Sequence, residues 1–104
     1  MVQIKITTKA KKGIKGIFKY IKKDSYQNAE MVAEAIIRKI DTLFIKPDFG
    51  KIIKKFNNPN VRELKLFKYR IIYRLTRALF IEIITIQHSS RLLNNNTHLK
   101  DFFD

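Results

Sequence analysis

The chain has 104 residues and a mass of 12.4 kDa, which is the size of one small domain. Hydrophobic residues make up 45% and charged residues 30%, a composition typical of a folded protein and not of a disordered chain. The sequence contains no cysteine, which excludes disulfides, thiolate metal sites and a cysteine nucleophile. No apolar run reaches membrane-spanning length, and no apolar stretch of the signal-peptide type follows the basic N-terminus, so we expect a cytoplasmic protein without a membrane partner.

The net charge of +13 is the most informative property of the composition. A small protein this basic is expected to meet phosphate groups, an acidic protein surface or an anionic membrane. The two histidines, His88 and His98, lie ten residues apart and no cysteine accompanies them, so we expect neither a metal site nor a cofactor.

The positive charge is concentrated in two segments. Residues 1–23 contain eight lysines and no acidic residue, and residues 46–77 contain six lysines and four arginines against two acids. The segment between them is slightly acidic. A lysine-rich surface is also an ordinary solubilising feature, so the charge alone does not identify a partner.

The first 23 residues change from a strand pattern to a helix pattern. Residues 2–7 alternate apolar and polar side chains, which predicts a half-buried strand. From Thr8 the apolar residues recur three and four positions apart, which predicts a helix with Thr8 as its N-cap. Gly13 and Gly16 weaken this helix, and glycines at this spacing also permit close approach of another backbone.

A longer helix is predicted after a short break, with Asp24 or Ser25 as its N-cap. Two helices so closely connected are expected to form an antiparallel hairpin. The segment 46–50, Lys-Pro-Asp-Phe-Gly, ends the second helix, because the residue before a proline disfavours helical angles and Gly50 is expected to adopt a positive φ. Residues 51–60 are expected to form a basic loop.

Three strand-like segments occupy the second half of the chain. Val61–Leu66 and Tyr69–Leu75 are separated by a tight turn, and residues 80–87 follow a loop at 77–79. The third segment is almost entirely apolar and β-branched, which is typical of a central strand. The short connections predict an antiparallel meander.

The element order β-α-α-β-β-β predicts an α+β domain in which the helical hairpin packs on one face of an antiparallel sheet. In the middle strand, Tyr69, Ile71, Tyr73 and Leu75 share the face expected to pack against the helices. Arg70 and Arg74 are then expected on the uncovered face. We predict one domain over residues 1–93 and a polar tail over residues 94–104.

Four features follow one another along the chain at characteristic intervals. They are a tyrosine at the end of the first helix (Tyr20), a P-x-x-G turn at 47–50, a Tyr-Arg-Ile-Ile-Tyr-Arg strand at 69–74, and an H-x-x-R ending at 88–91. Over about residues 2–93 this series resembles the RelE/ParE superfamily of toxins from bacterial type II toxin–antitoxin systems. The turn and the ending are similar to the ParE branch, which includes plasmid stabilisation proteins.

The resemblance implies a RelE/ParE-like fold and a partner, an antitoxin whose acidic segment folds onto the toxin. ParE-type toxins act on DNA gyrase, whereas RelE-type toxins cleave messenger RNA on the ribosome. Many RelE-type nucleases use a tyrosine near the C-terminus, and the last tyrosine here is Tyr73. A gyrase inhibitor is therefore the preferred prediction, and a ribosome-dependent mRNA endoribonuclease is the alternative.

The resemblance also assigns residues. In a metal-independent nuclease, Arg70 corresponds to the family's strand arginine and would clamp a phosphate. Lys65 and Lys68 lie where RelE-type enzymes carry lysines, and His88 could act as acid or base. The residues predicted to bind a partner are Arg62, Arg70, Arg74 and Arg91.

Each assignment has an ordinary structural alternative. Arg70 and Arg74 can be solvated arginines near an acid such as Glu82, and His88 can satisfy a backbone carbonyl. The third functional prediction is accordingly a basic nucleic-acid-binding module or an inactive toxin homologue.

Overall fold

The computed structural model describes residues 2–76 and 80–88. The predicted loop at 77–79, Arg91 and the predicted tail at 94–104 lie outside the described residues. The elements are β1 (Gln3–Ile6), α1 (Thr8–Lys22), α2 (Tyr26–Ile45), β2 (Lys51–Ile52), a 3₁₀ turn (Lys54–Phe56), β3 (Val61–Leu66), β4 (Tyr69–Leu75) and β5 (Phe80–His88).

The five strands form one sheet in the order β1-β5-β4-β3-β2. Strands β3 to β5 pair antiparallel, as the predicted meander requires. Strand β2 adds an antiparallel pairing with β3, and β1 adds a parallel pairing with β5. The α+β class is confirmed, with a mixed sheet. Strand β5 lies between β1 and β4, which explains why its sequence is so apolar.

Thr7 is the N-cap of α1, and Ser25 is the N-cap of α2. The Thr7 hydroxyl accepts from the Ala10 N–H at 3.1 Å, so the predicted N-cap at Thr8 was wrong by one residue. The same hydroxyl lies 2.9 Å from the carbonyl oxygens of both Ile83 and Ile84 and shares its one hydrogen between them, which ties the start of α1 to β5. Within the described part of the chain, neither helix is both long and apolar enough to span a membrane.

The main core lies between the helical hairpin and the sheet. Buried residues of α2 such as Ile36 and Ile40 pack with Ile71 and Tyr73 of β4 and with apolar residues of β5. Tyr69 and Leu75 pack at the edge of this core. The odd-numbered residues of β4 therefore face the helices, as their alternation predicted.

A second, smaller core covers part of the opposite sheet face, which we call the open face. It is formed by Ile53, Val61, Ile72 and Ile84, with Phe56 packed against them. The prediction of a plain loop at 51–60 was wrong, because this segment forms β2 and the 3₁₀ turn, which bring Ile53 and Phe56 onto the sheet. Apolar burial gives this short segment a fixed position.

Gly13 places α1 unusually close to the sheet. A Cβ atom at Gly13 would lie 2.8 Å from the backbone oxygen of Ile86, whereas a Cβ at Gly16 would meet nothing within 4 Å. The first glycine is therefore required by the helix–strand contact, and the second is not.

We therefore expect opposite effects from two alanine substitutions. Gly16→Ala should raise the free energy of unfolding by up to about 1 kcal/mol through helix propensity alone. Gly13→Ala should lower it by about 1–3 kcal/mol, because the strand backbone must move to admit the methyl group. Urea unfolding followed by circular dichroism measures both, and equal effects would contradict the close approach at Gly13.

Candidate functional site

The open face carries two arginine–carboxylate pairs. An Arg74 guanidinium nitrogen donates to a Glu82 carboxylate oxygen at 2.6 Å, across the β4–β5 pairing. Arg70 lies beside Glu63 of β3, with a closest nitrogen–oxygen distance of 3.9 Å. Both arginines are on the face predicted for them, and each has an acidic neighbour that lowers the local positive potential.

The Arg70–Glu63 pair is the looser of the two. At 3.9 Å the two groups attract each other without a hydrogen bond. Within the described part of the chain, Arg70 Nε and Glu63 Oε2 are buried and have no hydrogen-bond partner. Arg70 thus keeps hydrogen-bonding capacity, while the adjacent carboxylate disfavours a second anion beside it.

The four residues of the predicted nuclease set do not share one face. Lys65 lies opposite Arg70 in the β3–β4 register, so both lie on the open face. Lys68 is in the following turn, and His88 lies opposite Tyr69, whose ring packs against the core on the helical side. The sheet therefore divides the set into two pairs, Arg70 with Lys65 and Lys68 with His88.

Lys68 and His88 instead line a groove between α1 and the ends of β4 and β5, with a volume of about 610 Å³. The described residues that line it include no Asp or Glu; they are Gly13, Gly16, Ile17, Tyr20, Lys68, Tyr69, Ile86, Gln87 and His88. Tyr20 is 71% exposed, with the Lys23 ammonium 5.9 Å from its ring centroid. The rings of Tyr69 and His88 meet edge to face. This groove is suited to an apolar or aromatic group that carries negative charge.

Tyr73 and Arg62 hold the P-x-x-G turn. The buried Tyr73 hydroxyl donates to the Pro47 oxygen at 2.9 Å and accepts from the Gly50 N–H at 2.8 Å. The Arg62 guanidinium donates to the backbone oxygens of Asp48 and Gly50. A turn clamped at four backbone groups has a fixed position relative to the core.

Gly50 does not have the positive φ predicted for it. Glycine is required there for a different reason, because a Cβ atom would lie 2.5 Å from the Tyr73 hydroxyl oxygen. The motif thus requires glycine because of a tertiary contact with Tyr73, and not because of a special backbone angle.

The turn presents Phe49 among lysines. Phe49 is 54% exposed, and the ammonium groups of Lys39 and Lys46 lie 5.6 and 5.9 Å from its ring centroid. A cavity of about 280 Å³ beside it is also lined by Lys51 and Lys65, with Glu63 as its one acid among the described residues. This aromatic ring within a cationic rim was not predicted, because only the fold brings α2, the turn and β3 together.

The predicted partner-binding arginines are likewise divided. Arg62 lies opposite Tyr73 in the β3–β4 register, on the helical side, while Arg70 and Arg74 lie on the open face. The hydrogen bonds of Arg62 to the turn give it a structural role. Arg91 lies outside the described residues.

The fold is that of a known class of small α+β protein. The chain superposes on a solved structure described as the chromosomal ParDE TA system from P. aeruginosa, with a TM-score of 0.71 and 22% sequence identity over 85% of this chain and 96% of that one. Residues 4–93 match the sequence model of the family described as the ParE toxin of type II toxin–antitoxin systems, parDE. The chain therefore belongs to the ParE toxin family, within the RelE/ParE superfamily. No curated protein matches it significantly.

Burial raises the pKa of the Tyr73 hydroxyl, and the hydrogen bond from Gly50 only partly opposes this. Because the neutral form is favoured in the folded state, the stabilisation is fully present below the pKa of a free tyrosine, about 10. It is lost as the pH rises from there through the folded pKa.

Tyr73→Phe should lower the free energy of unfolding by about 1–2 kcal/mol at pH 7, because two buried hydrogen bonds are lost. Between pH 9 and 11 the wild-type chain should lose stability faster than the variant, so that the difference between them shrinks. Urea unfolding of both chains at each pH measures this, and a difference that stays constant would contradict a buried, neutral Tyr73.

Proposed function

We propose that this protein is a cytoplasmic ParE-like toxin that inhibits DNA gyrase by binding and is neutralised by a cognate antitoxin. Family membership supports a toxin of a type II system. The observation that favours binding over RNA cleavage is the division of Arg70 and Lys65 from Lys68 and His88 by the sheet.

Cleavage of a phosphodiester without a metal requires cations and an acid or base around one phosphate. Glu63 lies beside Arg70 and Glu82 beside Arg74, and these two carboxylates also reduce the ability of the open face to hold a phosphate. The RelE-like alternative is favoured by the long distance within the Arg70–Glu63 pair, since a guanidinium held so loosely could turn to a phosphate.

Neutralisation by an acidic antitoxin is supported by charge. The chain carries +13, and the groove beside Tyr20 combines aromatic rings with Lys68 and no lining carboxylate among the described residues. An acidic segment that folds on binding would gain apolar burial and charge complementarity there, against the entropy of its ordering.

The purified toxin is expected to inhibit plasmid supercoiling by gyrase in a reaction that contains no ribosomes, with inhibition that saturates as the toxin concentration rises. An equimolar amount of the cognate antitoxin should restore supercoiling. Gel assays of plasmid topology give this result directly, and unchanged supercoiling at saturating toxin would exclude gyrase as the target.

If the protein is instead a simple basic nucleic-acid-binding module, its affinity for duplex DNA should fall steeply with salt, because each phosphate contact releases a counterion. Induced expression would then leave growth unaffected. Growth arrest on induction separates the toxin from this third candidate.

A further inference from the structure

The turn between β3 and β4 contains a residue in an unfavourable conformation. Phe67 and Lys68 form a two-residue turn between the paired residues Leu66 and Tyr69. Phe67 has φ 54°, in the left-handed region that glycine and asparagine tolerate and that bulky side chains avoid. The first position of such a turn is ordinarily glycine or asparagine.

Packing does not explain this choice of residue. The Phe67 side chain is 66% exposed, and it belongs to neither of the two cores formed by the described residues. Asn57, the other non-glycine residue with positive φ in the described part of the chain, is of a type suited to that conformation. Strain at an exposed bulky residue points to a role outside the fold.

The surroundings of Phe67 indicate what it can contact. Lys68 is exposed next to it and also lines the groove beside Tyr20, which is itself 71% exposed. Lys65 is exposed just before the turn. The hairpin tip, Phe67-Lys68, is thus an apolar projection accompanied by positive charge.

We propose that the hairpin tip is the element by which this toxin inserts into its target protein, with Phe67 entering an apolar pocket whose rim carries carboxylates. This rests on the proposed function, in which the toxin acts by binding a protein. Phe67 is an exposed aromatic side chain on a tight turn, and aromatic residues, phenylalanine included, are enriched in protein interfaces.

The hairpin tip is better suited to a preformed pocket on a folded protein than to the antitoxin. A segment that folds on binding gains most by lying in concave surfaces such as the groove. A small convex projection gains most by entering a cavity that already exists, because the partner then loses little conformational entropy. We therefore assign the tip to the target and not to the antitoxin.

Phe67→Asn tests the proposal, because asparagine tolerates the left-handed conformation but lacks the phenyl ring. The variant should melt at the same temperature as the wild type or higher. Its inhibition of gyrase supercoiling and its binding to gyrase should weaken at least tenfold, while binding to the antitoxin stays within twofold. Phe44→Gln, which removes another exposed phenyl ring from the end of α2, serves as the matched control and should leave inhibition unchanged.

Several results would overturn the proposal. Undiminished inhibition by Phe67→Asn shows that the tip is not inserted, and leaves gyrase as the target. Loss of antitoxin binding with inhibition retained assigns the tip to the antitoxin. Loss of the toxin's own binding to a duplex DNA oligonucleotide, with protein binding intact, assigns it to nucleic acid.

The test also separates this proposal from the proposed target. If the wild type arrests growth without affecting gyrase, and Phe67→Asn loses that arrest while keeping its fold and its antitoxin binding, the tip is supported and gyrase is excluded.

Discussion

The alternation of side chains along β4 is the constraint on which the rest of the structure depends. Ile71 and Tyr73 must lie under the helices because they complete the main core. Their neighbours in sequence are then forced to the other face, where Arg70 and Arg74 meet Glu63 and Glu82. A shift of the strand by one residue would bury the arginines, so the apolar core fixes the register.

The same alternation determines which chemistry the surface can support. Catalysis requires that groups converge on one reacting bond. Here two candidate groups lie on the open face and two line the groove on the helical side. A protein that acts by binding has no such requirement, because separate surfaces can meet separate partners. The groove and Phe67 at the hairpin tip can then contact different partners, with Lys68 adjoining both.

Much of the fold was predictable because apolar periodicity is a local property. The helical stripes and the alternating β4 predicted the helical hairpin, the turn at Phe67-Lys68 and the faces of Arg70 and Arg74. Strand β2 was missed because a strand of two residues is too short to show any periodicity. The parallel pairing of β1 with β5 joins opposite ends of the chain and has no local signal.

The site was less predictable, because its important features are tertiary. Gly50 was correctly recognised as part of a motif, but its reason, the contact with Tyr73, exists only in the folded chain. Phe67 has a positive φ, which phenylalanine rarely adopts, so the residue type gave no indication of it. The sequence alone did not show that Arg70 and His88 lie on different faces of the sheet. This follows only from the β4–β5 register, in which His88 lies opposite Tyr69 and not opposite Arg70.

The central claim is that this toxin acts by binding and not by cutting RNA. The most direct test is a map of messenger RNA 5′ ends in cells during growth arrest caused by the wild-type protein and by Arg70→Ala. We predict growth arrest with no new messenger RNA ends at codon spacing in either case. Codon-spaced ends that appear with the wild type and vanish with Arg70→Ala would contradict it.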